Sequence, residues 1–251
     1  MGCLGDTDMI PKVIHYCWFG GNPKSDLIEN CIKSWKKYAP DFEIIEWNES
    51  NFNVDKYLYS QQAYESKKYA FVSDVARFDI LYNQGGIYLD TDVELIKPID
   101  EFLDNRLFMG YDQKDLVASG LIMGAEKGHP LLQKIISFYK NNSFFLSNGR
   151  PNTTTVVTIV SDVLIENGIK LDGAHISADE LSLYPWDFFD PYDYENNLMK
   201  KTNNTVSIHH YAATWKSKKD NLIYFVGRLL KKIVGKKIYD KIARYKHSRF
   251  G

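Results

Sequence analysis

The chain has 251 residues, 31 Lys and Arg against 32 Asp and Glu, a formal net charge of -1, and 44% hydrophobic residues. Such a chain buries a substantial core as one domain with additions, and its ordinary composition excludes a fibrous or disordered class. The balanced charge gives no footing for nucleic acid, and no apolar run reaches the roughly 18 residues a membrane span needs.

Met1–Asp8 reads as a lead-in ahead of Met9. Cys3, Cys17 and Cys31 are odd in number and lack metal spacing, so they read as free thiols of a reducing, cytoplasmic compartment. Ile10–Cys17 is apolar and β-branched, a first strand, and Trp18-Phe19-Gly20-Gly21-Asn22-Pro23 is a turn. An aromatic ring at that strand end suits stacking on a base, because open α/β sheets bind ligands there; a ring capping the core suits it equally. Asp26–Tyr38 has helical spacing at Leu27, Cys31, Ile32 and Trp35, Phe42–Trp47 alternates like a strand, and Tyr57–Lys68 is a polar helix. Packing accounts for the side chains of His15 and Trp35.

The organising stretch is Tyr69–Leu95. It reads as a helix, a left-handed glycine cap at Gly85-Gly86, a strand at Ile87-Tyr88-Leu89, and the acids Asp90-Thr91-Asp92. Carboxylates at i and i+2 lie on one side of an extended backbone, and paired hard oxygens suit Mg²⁺ or Mn²⁺ and hence a diphosphate. A solvated strand end is the bland alternative. Val93, Leu95 and Ile96 resume the apolar pattern at once, so these acids sit at the edge of a core and need a partner. Strand, helix, strand, helix, strand is the order of a Rossmann-like half.

Downstream, Phe102-Leu103 and Leu107–Tyr111 suggest a strand, and Val117–Ala125 another, small-residue strand of the kind found beside a ligand. Pro130–Lys140 and Val156–Gly168 are helices flanking a polar turn at Asn148–Thr155. The rings of Ile176–Tyr194, near Asp187, Asp190 and Asp193, read as a packed loop in preference to an acceptor-sugar platform. In Val206–Trp215, His209 and His210 are adjacent on a strand and face opposite ways, so one of them at most meets a given metal. Lys216–Arg249 carries 12 Lys and Arg against two Asp around an apolar stripe, which predicts a basic amphipathic tail for an anionic membrane, with packing on the body as the alternative.

The segment Asp74, Arg77, Tyr88, Asp90, Asp92 resembles the sugar-binding region of the DXD glycosyltransferases, in particular glycosyltransferase family 32, which shares its core with the glucosylating clostridial toxins. The Ile-His-Tyr-Cys-Trp-Phe-Gly-Gly opening and the His-His-Tyr-Ala-Ala-Thr-Trp ending resemble the same family, with Thr214 in place of its commoner Ser. The resemblance implies a GT-A type α/β domain over residues 9–215 with a mixed central sheet; the helical tail over 216–251 is read from its amphipathic stripe alone. It implies a retaining enzyme that moves a hexose from a UDP-sugar to a glycan or lipid-linked acceptor with Mn²⁺ or Mg²⁺, in polysaccharide assembly at the inner face of the membrane. By the same resemblance, Trp18 holds the base beside main-chain contacts at Ile14 and His15, and Asp74 and Arg77 meet the donor sugar and phosphates. Tyr88 lies beside the donor, Asp90 and Asp92 form the DXD, and His209 or His210 supplies a third metal ligand, His209 by preference. Trp215 lies near the phosphates, and Ser119-Gly120 borders the acceptor. A nucleotide-sugar hydrolase and a non-catalytic binding module are the other classes that these residues fit.

Overall fold

The structure, a computed structural model, describes residues 10–193, 196 and 198–212. The lead-in, Trp215 and the basic tail lie outside the described residues. β1 (Val13–Cys17) starts later than its apolar run, because Pro11 has no N–H for a ladder and Ile10 is tied instead to the carbonyl of Leu103. α1 (Asp26–Tyr38) coincides with its periodic segment. It buries Ile28, Cys31 and Trp35, and it places Asp26 and Glu29 in its first turn and Lys36 and Lys37 in its last, as the helix dipole favours. β2 (Glu43–Trp47), α2 (Leu58–Glu65) and α3 (Tyr69–Gln84) follow.

α3 stops at Gly85, whose N–H caps the carbonyl of Leu81. Its φ of 69° is left-handed as expected, but its ψ of -168° is extended, so the chain leaves straight into β3 (Gly86–Tyr88). Gly86 cannot carry a side chain here, because a Cβ would lie 2.8 Å from His15 Nε2 and from the Val13 carbonyl, at a φ of 102°. β4 (Val93–Leu95), β5 (Leu107–Gly110) and β6 (Met123–Ala125) come next. Two expected strands are therefore shorter. Phe102 belongs to a 3₁₀ turn at Asp100–Phe102, and of Val117–Ala125 only the last three residues pair, since Leu121 N–H closes a turn on the Ala118 carbonyl.

The remaining elements are α4 (Pro130–Asn141), α5 (Val156–Glu166), β7 (Ile176–Ala178), β8 (Leu181–Tyr184), α6 (Trp186–Phe189), β9 (Tyr192–Asp193), β10 (Leu198–Met199) and β11 (Ser207–His209). Seven strands make a mixed sheet in the order β2-β1-β3-β6-β5-β8-β7. β1 runs parallel to both β2 and β3, whereas β6 is antiparallel to β3 and β5. Strand alternation divides the core: Cys17, Tyr88, Leu107 and Met109 face α2 to α5, while Ile14, Ile87 and Phe108 face Trp35 of α1 and Phe189 of α6. The rings at 184–189 pack on Phe102 and Phe108, as the packed-loop reading expects. Outside the sheet, β11 pairs antiparallel with β4, and so carries the histidine segment to the strand that follows Asp92.

His15 is fully buried between β2 and α3. Its Nε2 lies 3.0 Å from the Gly85 carbonyl and its Nδ1 accepts from Trp47 Nε1 at 3.1 Å, a pattern only the neutral ring satisfies. Burial lowers its pKa to about 4, against the usual 6.5. Because the folded value is the lower one, the stability tied to the neutral ring is complete above pH ~6.5 and is lost as pH falls toward ~4, a range worth about 3 kcal/mol. Buried His129, whose pKa is also lowered by burial, adds in the same direction. Urea unfolding at about pH 7 and about pH 4.5, with an NMR titration of the His15 ring, measures this; a His15 ring that titrates near 6.5 would refute it.

Candidate functional site

α3, the β3–β4 connection and the 118–121 turn converge on four charged side chains. Asp74 and Arg77 are one turn apart on α3, and Arg77 Nη2 meets Asp74 Oδ1 at 2.8 Å and Asp90 Oδ1 at 3.2 Å. The guanidinium lies 4.9 Å from the centre of the Tyr88 ring, and the Tyr88 hydroxyl donates to Asp90 Oδ1 at 3.1 Å. Arg77 is 3% exposed, yet its Nη1 has no partner among the described residues. Burial opposes the charge of Arg77, but Asp90, Tyr88 and Asp74 outweigh it and hold the group protonated. For Asp74 burial wins over Arg77, and its carboxyl is pushed up to about 6.

The DXD is not a pair of strand neighbours. Asp90 to Asp92 form a turn, closed by Val93 N–H on the Asp90 carbonyl at 3.0 Å and outside both β3 and β4. The turn sends the two carboxylates to different partners: Asp90 to Arg77 and Tyr88, Asp92 to His209, whose Nε2 is 3.1 Å from Asp92 Oδ1. Burial disfavours a charged His209, but Asp92 beside it, with Asp90 and Asp190, raises its pKa overall. His210 points the other way, to Glu94 Oε2 at 2.9 Å, while its N–H holds the Asp92 carbonyl. The structure thus brings His209 to the DXD and leaves the His210 side chain outside it.

Ser119 and Gly120 lie on the 118–121 turn. Both are buried, and Gly120 lies beneath Asp90, accepting Asp90 N–H at 3.1 Å. A Cβ on Gly120 would sit 2.1 Å from Asp90 Oδ2 and 3.0 Å from Arg77 Nη1. Gly120→Ala therefore displaces the Asp90 carboxylate, and misplacement on the order of 1 Å costs about 100-fold in turnover. Steady-state kinetics beside a thermal melt should show that loss with a folded protein; unchanged kcat would mean that the Asp90 position is unimportant.

The Trp18 ring is half-buried, donates its Nε1–H to the Asn22 carbonyl at 2.7 Å, and has Lys24 Nζ 5.4 Å from its centre. Ile14 and His15 sit inside the sheet, where the His15 carbonyl is taken by Leu89 N–H, so their side chains support the site from behind. Trp215 lies outside the described residues.

Among the described residues, no group of three His, Cys, Asp or Glu side chains is already gathered around a metal position. The donor set still fits a hard divalent cation: an Asp92 oxygen and a His209 nitrogen in contact, with Asp90, 28% exposed, on the same turn. Mg²⁺ and Mn²⁺ sites of this kind use one or two carboxylates and complete their shell with phosphate oxygens and water.

The mixed seven-strand α/β sheet with an Asp-x-Asp turn after its third strand fits the GT-A fold expected from the sequence. Residues 25–109 match the family model described as the glycosyltransferase sugar-binding region containing DXD motif. The chain is 29% identical over 161 residues to inositol phosphoceramide mannosyltransferase 1 of Schizosaccharomyces pombe, covering 58% of this chain and 50% of that protein. It is 31% identical over 134 residues to inositol phosphoceramide mannosyltransferase 3 of the same yeast, covering 51% and 36%. The chain thus spans about half or less of the length of these relatives. The solved structure of PaToxG glycosyltransferase shares the fold with a TM-score of 0.50 at 19% identity, covering 64% of this chain and 70% of that one. These matches show a DXD sugar-binding region over residues 25–109 and a fold shared with a glycosyltransferase. No described helix is long and apolar enough to cross a membrane.

Proposed function

We propose that the protein is a retaining, metal-dependent glycosyltransferase that moves a hexose from a nucleotide sugar to a glycan or lipid-linked acceptor. The observation that carries this reading is the split of the DXD turn, with Asp92 against His209 and Asp90 against Arg77. Asp92 and His209, with Asp90 beside them, would hold Mn²⁺ or Mg²⁺. Such a cation supplies Lewis-acid neutralisation of charge on a departing diphosphate. Arg77, with its free Nη1, adds fixed positive charge that needs no reorganisation. Asp74 orients sugar hydroxyls by accepting hydrogen bonds, Tyr88 fixes Asp90, and the Trp18 ring stacks on the base. Retention follows from a same-face displacement assisted by the leaving phosphate.

UDP-hexoses are the first donors of this reading. The two named relatives are mannosyltransferases acting on inositol phosphoceramide, so a mannosyl nucleotide and a phosphoinositol sphingolipid form the second donor and acceptor to test. The domain division at residue 215, the peripheral cytoplasmic location and the tail's attachment to an anionic membrane stand as parts of the same proposal. Incubation with a panel of nucleotide sugars and Mn²⁺, with and without acceptors, is the test. Acceptor-dependent release of nucleoside diphosphate, and a product with the donor's anomeric configuration, are expected. Release of free sugar alone would mean a hydrolase, and binding without release would mean a non-catalytic module.

A further inference from the structure

Behind the DXD turn lies a buried acid that the proposed chemistry does not use. Asp190 follows α6 and is 2% exposed. α6 is fastened to the β11 segment by Val206 N–H on the Phe188 carbonyl at 2.8 Å, and Gln113 Nε2 holds the Asp190 carbonyl at 2.9 Å. Its carboxylate accepts from the hydroxyl of Tyr211. Tyr211 adopts a φ of 51°, unusual for a bulky residue, and its ring packs edge-on against His209 with centroids 4.1 Å apart. Asp190 and His209 therefore touch one tyrosine from its two ends. Each also has one buried atom without a hydrogen-bond partner among the described residues, Asp190 Oδ1 and His209 Nδ1.

We infer that Asp190 is a positioning residue for His209, holding the imidazole against Asp92 through the Tyr211 ring. The physical reason is general: a group packed against a ligating ring fixes the direction of the nitrogen that faces the metal, and here that group is the Tyr211 ring, tied in place by Asp190. Burial pushes the Asp190 carboxyl up to about 6 in spite of the Tyr211 hydroxyl and His209, so its placement has a cost that a packing residue would avoid. The inference rests on the reading of Asp92 and His209 as a cation site.

The test compares wild type, Asp190→Asn, Asp190→Glu, Tyr211→Phe and Asp92→Asn. In metal-free protein, Asp190→Asn and Tyr211→Phe should move the NMR signals of the His209 ring and leave those of His15 in place. Mn²⁺ affinity, read by electron paramagnetic resonance in the presence of UDP, should weaken about 10–100-fold in Asp190→Asn, with partial recovery in Asp190→Glu. A folded Asp190→Asn with unmoved His209 signals and wild-type Mn²⁺ affinity overturns the inference. Should that variant not fold, Tyr211→Phe carries the same two readings. Weakened Mn²⁺ binding in Asp92→Asn beside unchanged binding in Asp190→Asn refutes the role of Asp190 alone; unchanged binding in Asp92→Asn refutes the cation site itself.

Discussion

Asp92→Asn should abolish sugar transfer, by about 100-fold or more in kcat, while the fold survives. The substitution keeps the shape of the side chain and an oxygen that accepts from His209 Nε2, which stands 3.1 Å away. What it removes is the charge, and a neutral amide is a poor ligand for a hard cation that needs ionised oxygen. Loss of the negative charge also withdraws a leading cause of the raised pKa of His209, so burial then pushes that ring toward the neutral form. Neither change disturbs the core, since Val93 on the following strand keeps its backbone pairing with β11 and its carbonyl still accepts from Trp35 Nε1 at 2.7 Å. A melting temperature within a few degrees of wild type, together with lost Mn²⁺ binding, is the expected pair of results. Full activity in this variant would end the metal reading.

The elements around this site were legible where periodicity was strong. α1 coincides with its expected limits, and α3 followed by paired glycines and a short strand is where Tyr69–Leu95 places it. The errors arise where sequence spacing stands in for backbone direction. Asp90 and Asp92 read as neighbours on one side of a strand, but a turn between β3 and β4 parts them and gives each its own partner. Ser119 and Gly120 read as ligand-facing because small residues permit close approach. The close approach that the structure shows at Gly120 is that of Asp90, a contact the spacing alone does not reveal. Asp190 stood out only as one of three acids among aromatic residues, and its link to His209 comes from α6 lying against β11, a contact no local pattern announces. The adjacent histidines were separable in principle, since opposite sides of a strand cannot share a ligand, but only the antiparallel register with β4 shows which side holds Asp92.

Arg77→Leu should be the most damaging single change, lowering stability by about 3–5 kcal/mol as well as removing activity. One guanidinium nitrogen serves both Asp74 and Asp90, and the side chain is almost wholly enclosed. A leucine of comparable reach leaves two carboxylates without their cation. Asp74 suffers most, because its carboxyl already stands near 6 with Arg77 in place. Removing the cation raises it further, so in the variant Asp74 takes up a proton at neutral pH where the wild type keeps it largely ionised. The sign of the pH dependence follows. Above the Asp74 pKa the variant lacks an attraction that the wild type has, whereas below it the carboxyl is neutral in both and the difference shrinks. Unfolding free energies of the two proteins should therefore converge as pH falls from about 7.5 to about 5. Arg77→Lys retains the charge, but a compact ammonium on a flexible stem does not reproduce the fixed Nη2 position between the two acids, so it should recover part of the stability and little of the turnover. A stability gap that stays constant across that pH range would show that Arg77 contributes by packing, and that its charge does not bind Asp74 and Asp90 into one site.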